Sequence, residues 1–307
     1  MGPRSRTVIK LTVVAAFLYG VFSLIGGILL AELQLHPPRR PIRNVPEVAR
    51  VVRERYHADL QNVSVTASDE AVLRGWYIAP PNDNGSVIFL LHGVGDNREG
   101  MIPFARMLLD RGYRVLLPDA RAHGESGGSL ATFGIKESGD ISRWIDWTEA
   151  NHPRCVYGLG ESMGAAQLLE SLAHENRFCA VAAEASFARF DEVAPERVAN
   201  YTRMPMWFGK TFERLPIAVA IAYSRWRYGI EFRVANPADA VAHSSVPVLL
   251  IAGTRDRDIL PHHSEELART DPHAQLWMVN GAVHTGAWNV DRERFENTVT
   301  EFFAQHH

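Results

Sequence analysis

The chain has 307 residues, 46% of them hydrophobic, with 32 basic and 35 acidic side chains and a formal net charge of −3. That length and apolar content suit one α/β domain with a sizeable core, and the near-balanced charge argues against a nucleic-acid partner. With only two cysteines, no C-x-x-C and no zinc-ligand spacing, a metal-stapled or disulfide-dense fold is also excluded.

Residues 1–10 form a basic tail carrying Arg4, Arg6 and Lys10, and residues 11–31 are an apolar run with no charged side chain. At about 1.5 Å per residue such a run crosses a ~30 Å hydrocarbon core, and it is apolar on every side rather than along one face. Leu29-Leu30-Ala31-Glu32-Leu33 is a poor cleavage site, so a retained signal anchor is favoured over a cleaved signal. Basic residues lie at both ends, with Arg39, Arg40 and Arg43 after the run, so charge alone decides little about orientation. A short N-terminal anchor of this kind favours placing the rest of the chain outside the cytoplasm.

Residues 32–58 read as a juxtamembrane connector, where Pro37, Pro38 and Pro41 stop any helix. Gln61 to Ala67 and Ala71 to Ala79 alternate as a hairpin turning at Ser68-Asp69. Ser86 to Leu91 is a continuous apolar run suited to a buried parallel strand, and Met101 to Arg111 follows as a helix. Tyr113 to Leu117 is the next strand, and Ile141, Trp144, Ile145 and Thr148 recur at helical spacing. Strand and helix go on alternating, which is the pattern of a mostly parallel, doubly wound sheet.

The stretch Tyr157 to Ala166 is a strand entering Gly160-Glu161-Ser162-Met163-Gly164 and then a helix. This G-x-S-x-G turn lifts a serine hydroxyl clear of the backbone and aims free helix N–H groups at a developing oxyanion. A dinucleotide fingerprint starting at Gly158-x-Gly160, with Glu184 as the ribose acid, competes poorly because Met163 stands where that fingerprint wants Gly or Ala. Cys155 and Cys179 each open a strand, and they read equally as a disulfide between neighbouring strands or as two small buried hydrophobes. Between Glu184 and Val246 the alternation breaks into an aromatic-rich insertion that includes Phe187, Phe190, Trp207, Phe208, Tyr223 and Trp226. Asp291 to Gln305 closes the chain as an amphipathic helix with Phe295, Val299, Phe302 and Phe303 on one stripe.

These ordered motifs resemble the α/β-hydrolase family of serine hydrolases, whose members include esterases, lipases and aminopeptidases. The likeness rests on His92-Gly93 after the third strand, Asp119-x-Arg121-x-His123-Gly124-x-Ser126 after the fourth, and the serine turn after the fifth. It implies an α/β-hydrolase domain over residues 59–307, with residues 186–243 inserted as a helical lid. It also implies Ser162 as nucleophile, Asp256 as acid with Asp258 as the alternative, and His284 as base, in the family's chain order. Met163 and Val94 would supply the oxyanion-hole amides, while His92 and His123 would hold loops together.

The chemistry implied is ester hydrolysis through an acyl-enzyme with no cofactor and no metal. The substrate expected is a small molecule or an acyl lipid, including thioesters. An aminopeptidase-like amide hydrolase and a catalytically silent binding module remain as alternatives. Glu184, Asp191, Glu192 and Glu196 are the scattered acids an amine-binding patch would draw on. The membrane is the one macromolecular partner read from the chain, and oligomeric state is not legible.

Overall fold

The computed structural model describes residues 3–202 and 211–307. The described residues contain eight strands: β1 (Gln61–Thr66), β2 (Val72–Ile78), β3 (Val87–Leu91), β4 (Arg114–Pro118), β5 (Val156–Glu161), β6 (Phe178–Glu184), β7 (Val248–Gly253) and β8 (Gln275–Val279). They form one sheet in the order β1-β2-β4-β3-β5-β6-β7-β8. The hairpin of β1 and β2 is antiparallel, as is the β2–β4 pair, and every later pair is parallel. The expected α/β-hydrolase architecture is therefore present.

Alternation along the strands divides the core into two layers. Ile88 and Leu90 face one side with Phe104 and Met107 of α3 (Ile102–Leu109) and with Phe295, Val299, Phe302 and Phe303 of the closing helix (Arg292–Gln305). Val87, Phe89 and Leu91 face the other side with Trp144 and Ile145 of α4 (Glu137–Glu149) and Leu168 and Leu169 of α5 (Met163–Ser171). A strand sends successive side chains to opposite faces, so a fully apolar five-residue strand requires cover on both. Beneath the serine turn, Cys155 and Cys179 are disulfide-bonded across the starts of β5 and β6, with Cα atoms 5.8 Å apart.

The apolar helix α1, which contains residues 11–31, runs from Pro3 to Leu35. One expectation about the N-terminal region needs correction. The connector also contains a helix, α2 (Val45–Tyr56), which buries Val48, Val52 and Tyr56 on the body. Pro46 falls in the first turn of α2, where a proline lacks no hydrogen bond that the helix needs. The segment between α1 and α2 is fastened as well: Arg39 donates to the carbonyls of Gly124, Ser126 and Gly128, and Arg40 pairs with Asp96 at 2.8 Å.

The insertion after β6 is helical: α6 (Phe190–Thr202), α7 (Arg214–Tyr228), a 3-10 turn (Phe232–Val234) and α8 (Pro237–Ala242). Trp207 and Phe208 lie outside the described residues. Phe187 and Phe232 are buried, and the rings of Phe190 and Phe232 stack at 4.4 Å, so much of the aromatic content packs the insertion onto the body. Trp226 is different, since 80% of its surface is exposed.

Candidate active site

Ser162 sits between β5 and α5 at φ 51° and ψ −115°, in the left-handed half of the backbone map that a side chain rarely tolerates. The turn is held by Ser162 N–H donating to the Glu184 carbonyl at 2.8 Å and by Ala166 N–H donating to the Ser162 carbonyl at 3.0 Å. Two glycines make room for it. A Cβ on Gly164 would lie 2.3 Å from the Leu91 carbonyl oxygen, and one on Gly160 would lie 2.6 Å from the Gly164 carbonyl carbon.

The three residues expected to act together are adjacent. Ser162 Oγ lies 2.8 Å from His284 Nε2, and His284 Nδ1 lies 2.8 Å from Asp256 Oδ2. The other Asp256 oxygen, Oδ1, accepts the amides of Asp258 at 2.8 Å and Ile259 at 3.0 Å, which fixes the carboxylate in its loop after β7. Asp258 instead accepts a hydrogen bond from Asn200 of α6 at 3.2 Å, so it is Asp256 that meets the imidazole. An imidazole between a hydroxyl and a buried carboxylate can accept the hydroxyl proton.

The loop after β3 passes against the serine, since a Cβ on Gly93 would lie 3.5 Å from Ser162 Cβ. Val94 follows directly, and Met163 is the first residue of α5, where an N–H has no acceptor within the helix. This loop is clasped by two buried imidazoles. His92 donates through Nδ1 to the Gly93 carbonyl and accepts the Ala120 amide at Nε2, while His123 donates to the Arg121 carbonyl and accepts the Gly95 amide. Each accepts a backbone N–H on one nitrogen, so both rings are neutral. Burial lowers the pKa of each, that of His123 to about 4 with a further push from His92. Below them, Asp119 accepts the amides of Arg98 and Glu125 and pairs with the Arg98 guanidinium at 3.1 Å.

Sequence reasoning missed a carboxyl pair beside the serine. Glu161 and Glu184 are register partners at the ends of β5 and β6. Glu184 Oε1 accepts the amide of Ala287, just beyond His284, at 2.9 Å, while Oε2 is buried with no hydrogen-bond partner. Burial pushes the Glu184 carboxyl up to about 7, and burial with the neighbouring Glu184 and Asp96 charges pushes Glu161 up to about 8. The available signal was Glu161 inside the serine turn, a charged side chain at the mouth of a buried strand.

Two groups among the described residues have the reach to hold a metal ion. One is Asp256, Asp258 and His284, which belong to the site already described. The other is Glu192, His262, His263 and Glu266, between α6 and α9 (His262–Thr270). There Glu196 meets His262 at 3.0 Å and His263 at 3.1 Å, and Arg189 donates to Glu266 at 2.8 Å. These contacts fasten the insertion to the body beside the Asp256 loop.

A model of the alpha/beta hydrolase family matches residues 88–298. The chain is 29% identical over 240 residues to the uncharacterized protein YqkD of Bacillus subtilis, covering 75% of this chain and 74% of that one. Among solved structures it is similar to the Pyrococcus furiosus esterase Pf2001, with TM-score 0.69, 25% identity, and coverage of 89% of this chain and 98% of that one. The esterase of Exiguobacterium antarcticum shares the fold at TM-score 0.60 and 19% identity, covering 80% of this chain and all (100%) of that one. With the family model spanning the sheet from β3 into the closing helix, this chain belongs to the alpha/beta hydrolase family and is a hydrolase.

Proposed function

We propose that the protein is a serine hydrolase that cleaves carboxylic esters through an acyl-enzyme. The observation that carries this reading is the line from Ser162 Oγ to His284 Nε2 and from His284 Nδ1 to Asp256, each step 2.8 Å. Ser162 Oγ attacks the ester carbonyl carbon while His284 takes its proton, and Asp256 stabilises the imidazolium. The amides of Met163 and Val94 receive the oxyanion. As the carbon–oxygen bond to the alcohol breaks, His284 returns the proton to the leaving oxygen. Water then repeats the sequence, His284 accepting its proton, and the carboxylic acid departs with Ser162 restored.

In this reading residues 11–31 anchor the enzyme in a membrane, with the hydrolase domain outside the cytoplasm and residues 186–243 as its lid. The helix that ends at Leu35 contains an 18-residue stretch of mean hydropathy 2.4 and is long and apolar enough to cross a bilayer. The Cys155–Cys179 disulfide suits an oxidising compartment.

The test is labelling of native membranes with a fluorophosphonate probe. Wild type labels, Ser162→Ala does not, and His284→Ala labels weakly at equal folded abundance. A well-folded wild type that resists the probe refutes the serine mechanism, and release of intact protein by alkaline carbonate refutes the anchor.

A further inference from the structure

The N-terminal helix is part of the hydrolase domain's wall. Its last turns bury a stripe at every fourth residue, Ser23, Gly27, Ala31 and Leu35, against the insertion. At Gly27 the approach of α7 is so close that a Cβ would lie 2.5 Å from the Pro216 carbonyl oxygen and 2.7 Å from Val219 Cβ. Polar contacts fix the register. Tyr19 donates to the Phe212 carbonyl at 2.8 Å, Tyr223 and Tyr228 both donate to Glu32 at 2.7 Å, and the Leu35 carbonyl accepts the Ala131 amide at 2.9 Å. Residue numbers rise together in these contacts, so α1 and α7 run side by side in the same direction.

The opposite face of the same turns is bare. Leu24, Ile25, Leu29 and Leu33 are exposed, Leu33 at 72% of its surface. Four large apolar side chains left in water would each forfeit on the order of 1.5–3 kcal/mol of burial. A bilayer that covers them reaches Leu33 and therefore flanks α7, which covers the other side of the helix. Level with and beyond Glu32 lie side chains suited to a membrane interface, Tyr223, Trp226, Tyr228, Arg225 and Arg227 on the insertion, then Arg39, Arg40 and Arg43 on the chain, while Arg214 at the start of α7 is an exposed charge about 13 Å further membraneward.

Between α1, α6 and α7 lies a mostly apolar cavity of about 80 Å³, with Gln34, Arg197 and Ser224 the polar residues in its lining. Leu30 and Ala31 of α1 form one wall, and Ile217 and Ala220 of α7 form another. Ser224, also in the lining, spends its hydroxyl on the Ala220 carbonyl at 2.8 Å and so presents little polarity. The inner wall, Phe133, Phe187, Val193 and Phe232, belongs to the same apolar cluster as Met163, the residue after the serine, with Val94 packed against it. At 1.5 Å per residue, Leu30 lies about 5 Å membraneward of Leu33, within the acyl region of a bilayer that covers Leu33.

We propose that this cavity binds one acyl chain of a membrane lipid, which enters beside the anchor helix from the bilayer. The anchor thus does two things, holding the enzyme at the membrane and supplying a wall of its acyl site. The proposal rests on the ester-hydrolase reading only for what happens next at Ser162, and on the anchor reading for the source of the chain.

The test uses full-length Ser162→Ala protein in phosphatidylcholine vesicles containing a phosphatidylcholine with a mid-chain diazirine. After irradiation, cross-links are expected at Leu30, Ala31, Ile217 or Ile221, which line the cavity, and should fall at least fivefold in Ala220→Phe. Cross-links confined to the outward residues 8–25, Leu29 and Leu33, or unchanged by Ala220→Phe, overturn the proposal. In the active enzyme, Ala220→Phe should lower the ratio of long-chain to short-chain kcat/KM at least tenfold, and Ile217→Ala, which opens the cavity, should raise it. An unaltered ratio in both variants counts against the site. Cavity cross-linking in a protein that hydrolyses no ester would sink the enzymatic reading and leave the binding site standing.

Discussion

Replacing Asp256 by Asn tests the proton path at its least substitutable point. One oxygen of Asp256 accepts the amides of Asp258 and Ile259, and the other faces His284 Nδ1. An asparagine keeps the two amide bonds only by presenting its oxygen to them, which turns its NH₂ toward His284. Nδ1 must then be the acceptor, so Nε2 carries the hydrogen and points it at Ser162, where a base is needed. Wrong-tautomer variants of this kind lose on the order of 10⁴ in kcat. That corresponds to about 5.5 kcal/mol of transition-state stabilisation. The loop amides stay satisfied, so the fold should survive. Steady-state hydrolysis of a soluble short-chain ester, with urea unfolding as the control, measures both. Full turnover in Asp256→Asn alongside an inactive Asp258→Asn would refute the assignment and the tautomer argument with it.

Two further outcomes follow from the same neighbourhood. Glu184 has its pKa raised from the ordinary 4.5 to about 7 by burial, so the folded state favours the protonated form. Its contribution to stability is complete below 4.5 and is lost as pH rises through about 7. The ceiling is about 3 kcal/mol for a shift of that size. Urea midpoints at pH 5 and pH 8 should therefore diverge in wild type and draw together in Glu184→Gln, with some slope left from Glu161; an undiminished divergence in the variant rejects the burial argument. Gly164→Ala would drive a Cβ to within 2.3 Å of the Leu91 carbonyl oxygen, against the backbone of β3. Overpacking of that kind costs about 1–3 kcal/mol or more, and an unchanged urea midpoint would mean the strand is less constrained than its contacts imply.

The elements that the chain reveals on its own are those whose signals are local. Ser86 to Leu91 is apolar at every position because both faces of β3 are covered, and the serine turn carries its glycines within five residues. The choice of Asp256 over Asp258 came from spacing within a family pattern, and the contact with His284 follows it. The helix α2 was lost because prolines before it read as a stop, although Pro46 occupies a first turn. The pairing of Glu161 with Glu184 depends on which strands become neighbours, and the docking of Gly27 on Pro216 joins positions 189 residues apart (216 − 27). Periodicity describes one element at a time, so contacts of this range leave no mark in it.

If α1 is the proposed anchor, the fastened segment after it changes what kind of attachment that would be. Twenty-seven slack residues, 32–58, would let a domain wander on the order of 30 Å from its anchor point. With Arg39 clamped to three carbonyls of the loop after β4 and α2 packed on the core, that freedom is gone. For a helix seated in a bilayer, the serine then keeps one height and one heading above the lipid. On the proposed anchor reading, such an enzyme would sample the surface by lateral diffusion and leave the bulk solution to others.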